Sequence, residues 1–207
     1  AAIHSEMTAS SDAFYLFDRL FAQKWESPVV LVIDEAHKIA DQIRSVLSYE
    51  ITDYHLRRSI ALLRDRVSDA NAEADILQEF YNHMMGMIRH PRRQARSRTL
   101  LDDDEIRLLM ADLSPIDSDA LLDKIQDAVR SGAIDVVNDR VVLVRLAQLV
   151  YDIPRYLHSF EYALPNPNAP RPRGALNYTV AYYEEQLQQG QRVQYKLIIQ
   201  AYYVVGI

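Results

Sequence analysis

"VVLVIDEAHKIADQ", residues 29–42, is the stretch on which the fold turns. Val29 to Ile33 form a continuous, largely β-branched apolar run, the pattern of a strand buried on both faces in a parallel sheet. Two adjacent carboxylates, Asp34 and Glu35, follow at once. Charge crowded at the end of a buried strand is unfavourable unless something uses it, and α/β sheets bind their ligands at this C-terminal edge. In nucleotide-hydrolysing P-loop folds an Asp here holds the magnesium ion that bridges the phosphates of ATP. A neighbouring Glu can orient or deprotonate the attacking water. Ala36 leaves room for phosphates, and His37 can report their state to an adjoining element. The alternative is an ordinary strand-to-loop junction, with solvated acids and an N-cap for the next helix.

Outward from this stretch the periodicity is mainly helical. Residues 12–24 read as a short helix capped by Ser10 or Ser11, broken by Trp25 to Pro28, and another helix is expected from about Ala36 to Leu47. Five amphipathic stripes follow. They begin at Leu56, Ile60, Leu63 and Val67, then Leu77, Phe80, Tyr81, Met84 and Ile88. The third, Ile106, Leu109, Met110 and Leu113, sits behind an acidic "DDDE" start suited to a helix N-terminus. Leu121, Leu122, Ile125 and Val129 form the fourth, stopped by Gly132. Leu146, Leu149, Val150, Ile153, Leu157 and Phe160 form the last, with Pro154 expected to kink it. This spacing predicts a helical bundle.

"PNPNAPRPRG", residues 165–174, is a stiff loop, and beyond it the period changes to two. Leu176, Tyr178, Val180 and Tyr182, then Val193, Tyr195, Leu197 and Ile199, predict two strands joined by a turn around Gly190. The fold class expected is mixed α/β and mostly helical. Three parts follow from it: a sheet fragment over residues 1–43, a helical insert over 44–175, and returning strands over 176–207.

Composition narrows the classes. The chain has 207 residues, 49% hydrophobic and 25% charged, with a net charge of -6 that argues against a generally cationic nucleic-acid binder. It has no cysteine, so no thiol chemistry or disulfide frame lies within it. No apolar run approaches the roughly 18 residues of a membrane span, and no secretory pattern opens it, which makes a cytoplasmic protein the default. Ala1 in place of methionine, and the strand-like end "YKLIIQAYYVVGI", suggest a piece of a longer protein.

"VVLVIDEAHKIADQIRSVLS", residues 29–48, resembles motif II of superfamily 2 helicases, in the XPD/DinG (Rad3-related) branch. In that branch the motif opens a helix, a large helical insertion called the Arch domain follows, and the chain then returns to the first RecA-like motor domain. "AAIHSEM", residues 1–7, is similar to the stretch just upstream of the motif. DEAH-box RNA helicases usually continue with Glu-Arg, whereas Lys38 and Ile39 stand here; the Rad3-related branch itself commonly has Asn in place of Lys38. The resemblance implies that Asp34 holds magnesium, Glu35 activates water for ATP hydrolysis, and His37 couples hydrolysis to DNA. It implies 5′-to-3′ translocation on single-stranded DNA and unwinding of a forked duplex, and does not select among DNA repair, R-loop removal and CRISPR interference. The family's iron-sulfur cluster would sit outside this chain, and some DinG-like helicases, CRISPR-associated ones among them, lack it. No G-x-x-x-x-G-K-[ST] loop occurs among the five glycines. The phosphate-binding loop is therefore expected upstream, and the chain alone is expected to be inactive. The rival readings are a non-catalytic helical module that docks a partner protein through its Arch surface, and an RNA helicase.

"MIRHPRRQARSRTL", residues 87–100, concentrates Arg89, Arg92, Arg93, Arg96 and Arg98 in an acidic chain. At the tip of a helical arch these arginines would grip the phosphates of a threaded single strand. The alternative is a solvated basic turn balanced by Asp102, Asp103 and Asp104. Arg57, Arg58, Arg64 and Arg66 read as the exposed face of an amphipathic helix. Tyr178, Tyr182, Tyr183, Tyr195, Tyr202 and Tyr203 read as sheet packing more readily than as base-stacking platforms. His4, His55, His83 and His158 have no partner at metal-ligand spacing.

Overall fold

Each of the five apolar stripes becomes a helix. The computed structural model describes residues 38, 41, 48–89, 98–164, 179–187 and 193–201. Its helices are α1 (Asp53–Arg66), α2 (Asn71–Ile88), α3 (Asp103–Leu113), α4 (Ser118–Arg130) and α5 (Arg140–Ala163). The helix expected over residues 12–24, the strand Val29–Ile33 and, apart from Lys38 and Asp41, the helix over 36–47 lie outside the described residues.

Local chemistry explains the helix limits. Thr52 caps α1, its hydroxyl accepting from the His55 amide at 3.3 Å. The acidic start predicted for α3 is a capping box. The Asp102 carboxylate accepts from the Glu105 amide and the Glu105 carboxylate accepts from the Asp102 amide, both at 3.0 Å. Asp117 caps α4 through the Ala120 amide at 3.0 Å. Beyond α4, Gly132 adopts φ +78°, a left-handed conformation that a residue without Cβ enters freely. The Gly132 amide there donates to the Val129 carbonyl and the Ile134 amide to the Ala128 carbonyl, both at 3.1 Å. α5 continues through Pro154 to Ala163. The proline removes one amide from the ladder, and the fully buried Ile153 before it and Phe160 after it hold the helix against the core.

Among the described residues, four strands form one sheet in the order β1-β4-β3-β2: β1 (Tyr49–Thr52), β2 (Arg98–Leu100), β3 (Thr179–Leu187) and β4 (Val193–Ala201). All neighbouring pairs are antiparallel. The period-two reading locates β3 and β4. It misses β1 and β2, which fall inside the block read as a helical insert, so that block carries both outer strands of the described sheet. Four and three residues are too few to show a period, and their hydrogen-bond partners lie far along the chain: Tyr49 to Thr52 pair with Ile199 to Lys196.

One core joins these layers. Residues of all five helices and of β1, β3 and β4 share it, with Leu63, Phe80, Leu109, Leu121, Leu146 and Phe160 fully buried. Burial of each such side chain is worth about 1.5–3 kcal/mol. Ala181, Tyr183, Leu197 and Ile199 face this core from the sheet. Tyr182 and Ile198, paired across the two strands on the opposite face, are buried as well. The Tyr182 hydroxyl donates to Gln200 Oε1 at 3.2 Å, and that of Tyr183 to Met87 Sδ at 3.2 Å. These tyrosines therefore serve packing. Tyr178, Tyr202 and Tyr203 lie outside the described residues.

Candidate functional site

Asp34, Glu35 and His37 lie outside the described residues, as do Arg92, Arg93 and Arg96. The ends of the arginine run are described. Arg89 is the exposed C-cap of α2, which stops at Ile88, and Arg98 opens β2. Among the described strands, β1 and β2 stand at opposite ends of the sheet order. Three interstrand steps of about 4.8 Å therefore put about 14 Å between the strand that follows the Asp-Glu motif and the strand that follows the arginine run.

Arg57, Arg58, Arg64 and Arg66 are all exposed on α1, as the amphipathic reading requires. Arg64 pairs with Asp75 at 2.7 Å, and Arg58 donates to the Tyr54 hydroxyl at 2.9 Å. His83 Nδ1 lies 2.8 Å from Asp112 Oδ2, tying α2 to α3. Among the described residues, no group of three or more His, Asp or Glu side chains is placed to hold a metal ion.

A polar cleft of about 470 Å³ opens between β1, α1, α5 and β4. β1 contributes Tyr49 and Glu50, α1 contributes His55 and Ser59, α5 contributes Arg145, Gln148, Asp152 and Tyr156, and β4 contributes Lys196. The sheet pairing sets this convergence, because β1 and β4 lie side by side and α1 leaves directly from β1. On α1, Ser59 falls on the same buried face as Leu56, Ile60 and Leu63. On α5, Asp152 falls between the buried Leu149 and Tyr156. A hydroxyl and a carboxylate within apolar stripes were the sequence signals available for this site.

The electrostatics are organised in pairs. Lys196 Nζ donates to Glu50 Oε2 at 2.8 Å, and an Arg155 guanidinium nitrogen donates to Asp152 Oδ1 at 3.2 Å. Burial raises the Asp152 carboxyl above its ordinary range, and Arg155 opposes the rise. Burial likewise raises the Tyr156 phenol, with Asp152 and then Tyr49 adding to the shift. Burial lowers His55, and the positive fields of Arg145 and Arg58 lower it further against Asp53. Tyr49 and Tyr156 meet edge to face with ring centres 5.4 Å apart.

At neutral pH the cleft thus holds neutral phenols and a neutral imidazole, beside the Glu50–Lys196 and Asp152–Arg155 pairs. Ser59 Oγ has no hydrogen-bond partner, so no base activates it as a nucleophile. The arrangement suits recognition of a polar ligand. No family model matches this chain, and no curated protein matches it. No helix among the described residues is long and apolar enough to cross a membrane.

Proposed function

We propose that this chain is part of an ATP-dependent DNA helicase of the XPD/DinG kind, carrying motif II of the first motor domain and an Arch-type helical insertion. The observation that carries this reading is the pairing of β1 with β4, in register from Tyr49 with Ile199 to Thr52 with Lys196. An insertion must leave its host domain and return to it at neighbouring points. Here the helical block leaves from β1, eleven residues beyond "DEAHK", and the chain returns through β3 to β4, which pairs antiparallel with β1.

In this reading Asp34 holds magnesium against the phosphates of ATP and Glu35 orients the attacking water. His37 couples hydrolysis to the DNA. The arginine run begins at Arg89, the C-cap of α2, and ends at Arg98, the first residue of β2, and its guanidinium groups would contact the backbone of a single strand. The phosphate-binding loop and a second motor domain come from other parts of the parent polypeptide, because this chain has no G-x-x-x-x-G-K-[ST] loop.

The test is ATP hydrolysis by the parent protein, with and without single-stranded DNA, beside its Glu35→Gln variant. DNA-stimulated turnover that collapses in the variant supports the motor. Turnover that is absent, or indifferent to Glu35, leaves the docking module. A specific surface favours that second reading: Val137, Val141, Val144 and Tyr151 are 84%, 69%, 56% and 57% exposed around the start and outer face of α5.

A further inference from the structure

The cleft between β1, α1 and α5 has donors left over once its own charges are paired. Its two carboxylates are both committed, Glu50 to Lys196 and Asp152 to Arg155. Arg145 lines the same cleft and has no carboxylate at ion-pair distance among the described residues. Ser59 lines it too. It is 1% exposed and its Oγ has no hydrogen-bond partner. A buried hydroxyl without a partner is unfavourable, so a polar group that supplies one is favoured there. His55 stands one helical turn before Ser59, within the fields of Arg145 and Arg58.

A guanidinium, a hydroxyl and an imidazole around one space make a donor set for an anion with several acceptor oxygens. Tetrahedral phosphate meets that description better than a halide, which offers no directed lone pairs to three separate donors. The cleft volume of about 470 Å³ exceeds what a bare phosphate fills and lies within the range of small-molecule sites. Gln148 supplies a further amide on the α5 wall.

We propose that this cleft binds a phosphate group through Arg145, Ser59 and His55. The group comes either from a free phosphate or pyrophosphate, or from the backbone or terminus of a nucleic-acid strand. This binding uses neither Asp34 nor Glu35, and does not depend on the motor reading. A chain that never hydrolyses ATP would still bind phosphate here.

The experiment titrates the full 207-residue chain with inorganic phosphate, pyrophosphate, and a short oligothymidylate with and without a 5′ phosphate. Calorimetry reads affinity, and the His55 ring protons read the location by NMR. The expected result is binding of at least one probe, with perturbation of His55, and a loss of about tenfold or more in Arg145→Gln and in Ser59→Ala. Binding of the inorganic probes identifies free phosphate as sufficient; binding of the oligonucleotides alone identifies a strand, and dependence on the 5′ group identifies its terminus. Absence of binding by every probe overturns the proposal. So does binding that both variants leave unchanged. Arg145 is exposed, so Arg145→Gln remains informative even if Ser59→Ala fails to fold. If Ser59 is merely an orphan hydroxyl, Ser59→Ala will raise the melting temperature and leave affinity untouched, which also counts against the site.

Discussion

The backbone amide of Tyr195 donates to Asp53 Oδ1 at 3.2 Å, across 142 residues of sequence. This bond ties β4 to the first turn of α1, beside the point where β1 passes into that helix. Asp53 is buried, and its carboxylate sits where the positive end of the helix favours it. Replacing Asp53 with Ala is expected to cost about 1–3 kcal/mol, since the Tyr195 amide loses its acceptor. Asp53→Asn keeps an acceptor oxygen and should recover part of the loss. Urea denaturation of the two variants measures both, and equal midpoints for Asp53→Ala and the parent chain would show that the tie contributes nothing.

Lys124 joins α4 to the start of α2. Its ammonium donates to Glu73 Oε1 at 2.6 Å and to the Asp69 carbonyl at 2.8 Å, and the Glu73 side chain is only 15% exposed. The second oxygen of Glu73 is buried with no partner, so the carboxylate relies on this lysine. Lys124→Met should therefore destabilise by about 1–3 kcal/mol, discounted from the value for a fully buried pair because the lysine is partly exposed. The double variant with Glu73→Gln should recover stability, and a chemical denaturation cycle reads the coupling.

Gly132 offers a test free of packing. A Cβ there would meet nothing within 4 Å, yet φ is +78°. Gly132→Ala should cost about 1 kcal/mol from the backbone alone, and Gly132→Asn less, because Asn tolerates this conformation better. Thermal melts of the pair would separate the two, and an unchanged melting temperature for Ala would contradict the backbone account.

His55 sets a pH dependence whose sign follows from its environment. Burial, then Arg145 and Arg58, hold its folded pKa below the ordinary 6.5. As pH falls the unfolded chain takes up this proton first, so stability falls with it. The contribution is fully present above pH 6.5 and is lost as pH drops through the folded value. His55→Gln should flatten that loss relative to the parent chain. Urea midpoints of the two proteins from about pH 7.5 to about pH 5 test it, with a difference that stays constant over the range counting against the assignment.

The arginine run predicts a salt signature. Arg92→Ala with Arg93→Ala should weaken single-strand affinity and reduce the slope of log affinity against log salt by about 1–2, because each lost phosphate contact releases roughly one fewer counterion. Fluorescence anisotropy over a salt series measures this. Affinity and slope that survive both changes would mark the run as a solubilising turn.

How much was legible differs by element. The stripe Leu56, Ile60, Leu63 announces α1 because helical neighbours lie three and four residues apart, so the pattern is complete within one short window. The capping acids Asp102 and Asp117 and the stop at Gly132 are equally local. β3 and β4 show their alternation over nine residues each. β1, with the sequence "YEIT", shows none, because its hydrogen bonds are supplied by β4 and not by its neighbours in the chain.

The amino-acid sequence alone determined the five helices, the two long strands and the Asp-Glu-Ala-His motif, all written in contacts within a few residues of one another. Only the tertiary structure decided that the helical block carries both outer strands of the described sheet, and that Glu50 meets Lys196 across 146 residues. It also decided the cleft, which needs Ser59 and His55 from α1 to face Arg145 and Asp152 from α5. The physical reason is separation. Local periodicity encodes which face of an element avoids water, whereas the identity of the element that covers that face depends on packing across the whole core.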